Sequence, residues 1–171
     1  MNGYKEIVLL DFRNQDEIPE WLIINDGVMG GVSTSDLAYN SDGYLAFTGN
    51  VSLDNNGGFA SFRSQSKVFD LSEYDGIKVK VRGDGKKYSF RLRTTQSFDG
   101  IAYAADFKSL EGEWQEIRIP FSDFKPRFRG RIIMNADELN KSNIRQLGFL
   151  ISDKQQGPFT LDIDWIKAYA D

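Results

Sequence analysis

The stretch "IKVKVRGDGKKYSFRLR", Ile77 to Arg93, decides the fold. Ile77, Val79 and Val81 alternate with Lys78, Lys80 and Arg82; Tyr88, Phe90 and Leu92 then alternate with Ser89, Arg91 and Arg93. A period of two is the signature of a strand with one face on a core and the other in water. Asp84-Gly85 sits between the two runs, and such a dipeptide flanked by alternating apolar residues predicts an antiparallel hairpin. On that reading Lys78, Lys80, Arg82, Arg91 and Arg93 line one cationic face.

The same period continues outward from this stretch. "EWQEIRIPF" places Gln115, Ile117 and Ile119 on one face and Trp114, Glu116 and Arg118 on the other. "PFTLDIDWIKAYA" aligns Phe159, Leu161, Ile163 and Trp165, with Ile166 out of step, which predicts a bulge. "GYLAFTGNVSL", "GGFASFRS", "IAYAADF" and "RQLGFLIS" supply further strands. The helical candidate is short, "NADELNKSNIRQ", with Asn135 as its cap. Many short strands separated by Gly, Asn and Asp clusters predict an all-β antiparallel β-sandwich or jelly roll. No repeat or low-complexity linker divides the chain, so residues 1–171 are expected to form a single domain.

Composition narrows the chemistry. The chain contains no histidine and no cysteine, which excludes Ser-His-Asp triads, Cys-His dyads, disulfides and zinc-thiolate sites. Catalysis would have to run on Asp, Glu, Lys, Tyr or a cofactor, and a non-catalytic role is expected. A net charge of -4 argues against a general nucleic-acid partner. No apolar run is long enough to insert in a bilayer, and "MNGYKEIVLLDF" is too short and acidic for a secretory leader, so a cytoplasmic location is expected.

Two Gly-rich segments stand out: "NDGVMGGVS", Asn25 to Ser33, and "NNGGFASFR", Asn55 to Arg63. The first has neither the helix nor the Gly-Lys-Ser/Thr of a phosphate loop. One reading makes the glycines tight turns with positive backbone angles. The other brings both segments together beside one sheet as a recognition surface. There Asp26 caps the loop amides, Met29 and Phe59 give apolar contact, Gly30, Gly31, Gly57 and Gly58 allow close approach, and Ser33 completes the rim. Arg91 and Arg93 are the second-rank binding candidates, because guanidinium forks hold carboxylates and phosphates. "RGDG", Arg82 to Gly85, reads as turn geometry rather than an adhesion tripeptide. "PFSDFKPRFRGR", Pro120 to Arg131, is balanced between a basic-aromatic contact surface and a loop with Phe121 and Phe124 tucked beneath it.

"WLIINDGVMGGVSTS", "FTGNVSLDNNGGFASFRS", "DGIKVKVRGDGKKYSFRLR", "GEWQEIRIPFSDFKPRFRGR" and "LGFLISDKQQGPFTLDIDWIKA", taken in order, resemble the complex I intermediate-associated protein 30 family. The resemblance implies a galactose-binding-like β-sandwich, related in shape to carbohydrate-binding modules. It also implies a protein partner, since the mitochondrial member is a chaperone for assembly of the membrane arm of respiratory NADH:ubiquinone oxidoreductase. This chain lacks the long N-terminal extension of that member and looks like a bacterial stand-alone form. Such sandwiches often hold a structural calcium between first and last strands, which makes Asp11 and Asp164 the candidate metal ligands; no other cofactor is expected. The alternative function is a carbohydrate-binding module with a glycan ligand, for which Tyr88, Tyr103 and Trp114 are the candidate sugar platforms.

Overall fold

The computed structural model describes residues 5–12, 21–56, 58–64, 68–94, 100–128, 131–152 and 154–171. Among these, thirteen strands form two antiparallel sheets, as the alternating pattern predicts. They are β1 (Lys5–Asp11), β2 (Trp21–Ile23), β3 (Thr34–Tyr39), β4 (Leu45–Val51), β5 (Ala60–Ser64), β6 (Gly76–Arg82), β7 (Lys87–Arg93), β8 (Ala102–Lys108), β9 (Trp114–Pro120), β10 (Lys125–Phe128), β11 (Arg131–Ile132), β12 (Gln146–Ile151) and β13 (Gly157–Ala170). The six-stranded sheet runs β3-β4-β13-β6-β9, with β1 also paired to β13; the seven-stranded sheet runs β11-β10-β8-β7-β12-β5-β2.

The expected hairpin of Ile77–Arg93 does not form. Its two strands alternate as predicted, but β6 pairs with β13 and β9, whereas β7 pairs with β8 and β12 in the opposite sheet. The turn at Asp84-Gly85 is a crossing between sheets. Gly85 takes a positive φ of 88° there. The Asp84 carboxylate accepts hydrogen bonds from the Lys86 amide (3.1 Å), the Tyr88 hydroxyl (3.0 Å) and the Thr160 amide (2.9 Å). It thus ties the crossing to β7 and to β13. The five cations are therefore split. Lys78, Lys80 and Arg82 lie on the outside of one sheet, Arg91 and Arg93 on the outside of the other.

β13 is the spine of the six-stranded sheet. Its first half pairs with β4, its second half with β1, and its other edge with β6. The register against β6 shifts between Ile163 and Trp165, at the bulge the sequence predicts. The shift returns Ile166 and Ala168 to the core and turns Trp165 outward, beside the Lys167 ammonium, 4.2 Å from its ring. The core between the sheets is rich in phenylalanine: Phe47, Phe62, Phe90, Phe107, Phe149 and Phe159 are all buried. Phe149 packs its ring within 5.1 Å of Phe90, 5.7 Å of Phe62 and 6.2 Å of Phe107 (centroid distances). The expected helix at 135–146 reduces to one 3-10 turn, Lys141–Asn143. Its cap is Asn140, whose side chain accepts from the Ser142 amide, in place of Asn135.

Candidate functional site

The two Gly-rich segments do meet, and Asp26 joins them. Its carboxylate accepts from the Ser33 amide (2.9 Å) and the Ser33 hydroxyl on one side, and from the amides of Gly58 (2.7 Å) and Phe59 (3.3 Å) on the other. The Asp26 amide donates to the Phe59 carbonyl at 3.1 Å, and the Ser33 hydroxyl also accepts from the Ser52 amide at 2.8 Å. Asn25 repeats the pattern one residue earlier, its Oδ1 accepting from the Ser35 hydroxyl (2.8 Å) and the Ser61 amide (3.3 Å). Burial is the largest influence on the Asp26 carboxyl and pushes its pKa up. The bonds from Ser33, Gly58 and Phe59 together outweigh it and hold the group below the usual carboxylate range.

The glycines follow from this staple. A Cβ on Gly31 would stand 2.4 Å from Asp26 Cγ, so the carboxyl occupies the space of a side chain. Gly58 sits at φ +134°, where an L side chain is strained, and so presents its amide to Asp26. Gly30 closes the 3-10 turn Asp26–Met29 in the left-handed region. Asp26 is fully buried, so its role is to build the rim and not to touch a ligand. Ser33 is also buried. Gly30 and Val32 are exposed, and Phe59 is half-buried. The side chain of Met29, and Gly57 entirely, lie outside the described residues.

Arg91 and Arg93 belong to a different surface, the outer face of the seven-stranded sheet. Arg91 Nε donates to the Ser89 hydroxyl (3.3 Å), and an Arg93 Nη donates to the Gly100 carbonyl (2.8 Å). Two residues that sequence reasoning missed share this face. Arg63 faces Gly148 across β5 and β12, and Gln146 faces Arg93 across β12 and β7; both are more than nine-tenths buried. Their signal in the sequence is a lone polar residue beside apolar runs, "FR" and "RQLGFLI".

The outer face of the six-stranded sheet is self-satisfied. Lys78 pairs with Glu6 (2.5 Å) and Glu116 (3.8 Å), and Lys80 with Asp164 (3.6 Å). Arg82 binds Asp162 at 3.0 Å and lies between the rings of Tyr44 and Trp114, 5.1 and 4.7 Å away. "RGDG" is thus occupied at both ends, by Asp162 and by the crossing.

The sugar-platform candidates are placed unfavourably. Tyr88 and Tyr103 are core residues, donating to Asp84 and to the Asp137 carbonyl, and Trp114 is stacked with Arg82. Burial, with the nearby Asp84 charge, pushes the Tyr88 phenol far above its usual range, so it remains a donor. In "PFSDFKPRFRGR" Phe124 is buried and Phe121 packs on the core, while Lys125 and Arg131 are exposed, which favours the packed-loop reading; Arg129 lies outside the described residues. β1 and β13 do adjoin, with Asp11 opposite Trp165 and the Phe12 amide donating to the Asp164 carbonyl at 3.1 Å. Among the described residues no group of three acidic side chains gathers there, and Lys80 already faces Asp164.

The sequence profile of complex I intermediate-associated protein 30 (CIA30) matches residues 10–163. The chain belongs to this family. The Drosophila melanogaster mitochondrial CIA30 protein is 28% identical over 93% of this chain and 61% of its own length. The Mus musculus protein is 27% identical over 96% of this chain and 56% of its own. An uncharacterized protein of Schizosaccharomyces pombe is 32% identical over 85% of this chain and 75% of its own. The chain therefore spans less than two thirds of the animal CIA30 proteins it matches. Among solved structures, a family 11 carbohydrate-binding module of a Clostridium thermocellum cellulase superposes with a TM-score of 0.72 at 18% identity, covering 99% of this chain and 97% of the module. An agarase, AgWH50C, matches over 97% of this chain and 24% of its own at a TM-score of 0.64 and 12% identity. This chain thus has the β-sandwich fold of the family 11 carbohydrate-binding module.

Proposed function

We propose that this CIA30 domain is a non-catalytic binding module whose Gly-rich rim docks a protein partner during assembly of a larger complex, NADH:ubiquinone oxidoreductase in the first instance. Family membership across residues 10–163 carries the reading. The rim supports it physically. The Asp26 carboxylate is fully engaged by its own loops, which leaves a pre-ordered edge of backbone, Val32 and Phe59 and lowers the ordering cost of docking. The test is capture with the purified, tagged chain from lysate of its native cells, followed by mass spectrometry. Enrichment of NADH:ubiquinone oxidoreductase subunits, lost in the Val32→Asp/Phe59→Ala variant, is expected; the same subunits recovered equally by that variant, or not at all, would reject the proposal.

The likeness to carbohydrate-binding modules favours glycan binding as a second reading. Retardation of the chain in a gel containing a neutral polysaccharide would transfer the assignment to it.

A further inference from the structure

The segment "KPRFRGRIIM", residues 125–134, has four cations and no acid in a chain of net charge -4, so the rest of the chain carries -8. Its strands form the outer edge of the seven-stranded sheet, β10 paired with β8 and β11 with β10. Pro126 stands opposite the core residue Tyr103, so Lys125 and Arg127 on either side of it turn to the outer face. Ile132 stands opposite Arg127 on that face. The Ile133 amide donates to the Pro126 carbonyl at 2.9 Å, which carries the register one step further and sets Met134 beside Lys125. Cation and apolar side chain thus alternate along the ribbon. Ile132 is 51% exposed and Met134 87%, the highest value among the large apolar residues described. Arg127 is already engaged within the molecule. Lys125 and Arg131 are exposed, and among the described residues the side chain of neither enters a hydrogen bond or an ion pair.

The occupant follows from this pattern. A protein interface of standard size buries about 800 Å² on each partner and gathers its apolar groups inside a polar rim. The β10–β11 ribbon is small for that, and its exposed apolar side chains alternate with cations. A bilayer surface suits it better. The headgroup layer takes up apolar side chains at shallow depth, and anionic headgroups attract the Lys and Arg beside them. The acids nearest in sequence, Asp123 and Asp137, flank the segment from outside it. The acidic remainder of the chain is repelled by the same surface, which orients the molecule ribbon-first. Docking of this kind needs no spanning segment, and no helix among the described residues is long and apolar enough to be one.

We propose that the β10–β11 edge docks on an anionic lipid surface, with Ile132 and Met134 entering the headgroup layer and Lys125 and Arg131 meeting the lipid phosphates. The docking is independent of the protein partner at the Gly-rich rim. It is tested by co-sedimentation of the whole chain with vesicles of phosphatidylcholine alone and of a phosphatidylcholine–phosphatidylglycerol mixture. Binding to the anionic vesicles, weakening with added salt, is expected, with little to the neutral ones. Lys125→Gln/Arg131→Gln should weaken binding at least about tenfold, at roughly fivefold per cation. Lys5→Gln/Lys154→Gln, the same loss of charge elsewhere on the chain, should leave it nearly unchanged. Ile132→Ser/Met134→Ser should weaken it as well, because insertion and not charge alone holds the ribbon. Far-ultraviolet dichroism checks that each variant is folded. In Met134→Trp, the difference between its emission and that of the parent chain should move to the blue when anionic vesicles are added. No binding to the anionic vesicles, equal binding to the neutral ones, undiminished binding by either folded ribbon variant, or no blue shift would overturn the proposal. Retention by immobilised polyglutamate and not by vesicles would also overturn it, and would give the edge to an acidic protein.

Discussion

At the scale of single residues, the molecule spends its charged groups on its own backbone. Asp26 is the clearest case, and its removal leaves buried amides of two loops without an acceptor. Asp26→Ala is expected to lower stability by roughly 2–4 kcal/mol in urea titration, from one or two donors left unpaired. Its pH dependence has a definite sign. The folded carboxyl titrates below its unfolded value near 3.8, so its contribution is complete above that value and is lost as pH falls through the lower folded one. The stability gap between the parent chain and Asp26→Asn should therefore be constant at neutral pH and narrow only in acid. Gly31→Ala drives a methyl into the same carboxyl and should cost about 1–3 kcal/mol by overpacking. None of this depends on Gly31 being flexible; the constraint is occupied space.

At the scale of elements, pairing is where sequence and structure part. Alternation alone marks which residues of β6 and β7 face the core, and the structure agrees residue by residue. It does not say which neighbour each strand takes, because period two is the same in either sheet. Asp84-Gly85 reads as a hairpin turn because its local chemistry suits one, yet Asp84 reaches Thr160 on β13 instead, a contact seventy-six positions away in the chain. Nuclear Overhauser contacts are accordingly expected between Arg91 and Gly148 and between Val79 and Ile166, and absent between β6 and β7. Asp84→Ala should loosen the crossing by about 1–3 kcal/mol, the cost of a donor left without its partner. The Gly-rich site was legible as two segments of matched composition. Its organising residue, Asp26, is legible as a cap on loop amides, but that the same carboxylate reaches Gly58 and Phe59 on the second segment, and that it is buried, is not written in its neighbours. The Arg63–Gln146 face was illegible for a related reason: it is assembled from five strands, and its members are single polar letters in apolar runs.

At the scale of the molecule, one phenylalanine-rich core serves both sheets, so the two should melt together. Phe149→Ala, which removes the ring shared by Phe62, Phe90 and Phe107, is expected to cost about 3–5 kcal/mol. Far-ultraviolet dichroism and tryptophan fluorescence should trace a single coincident transition in both proteins. The position of β13 has a further bearing on how the chain reaches this state. Among the described strands it comes last in the sequence, yet it joins β1, the β3-β4 pair and the β6-β9 pair into one sheet. Until β13 is made, the sheet therefore stays in three pieces, each with a bare edge where β13 will insert. Such an intermediate needs either fast insertion of β13 or a protective escort in the interval, and β13 is the segment whose deletion would be least forgiven.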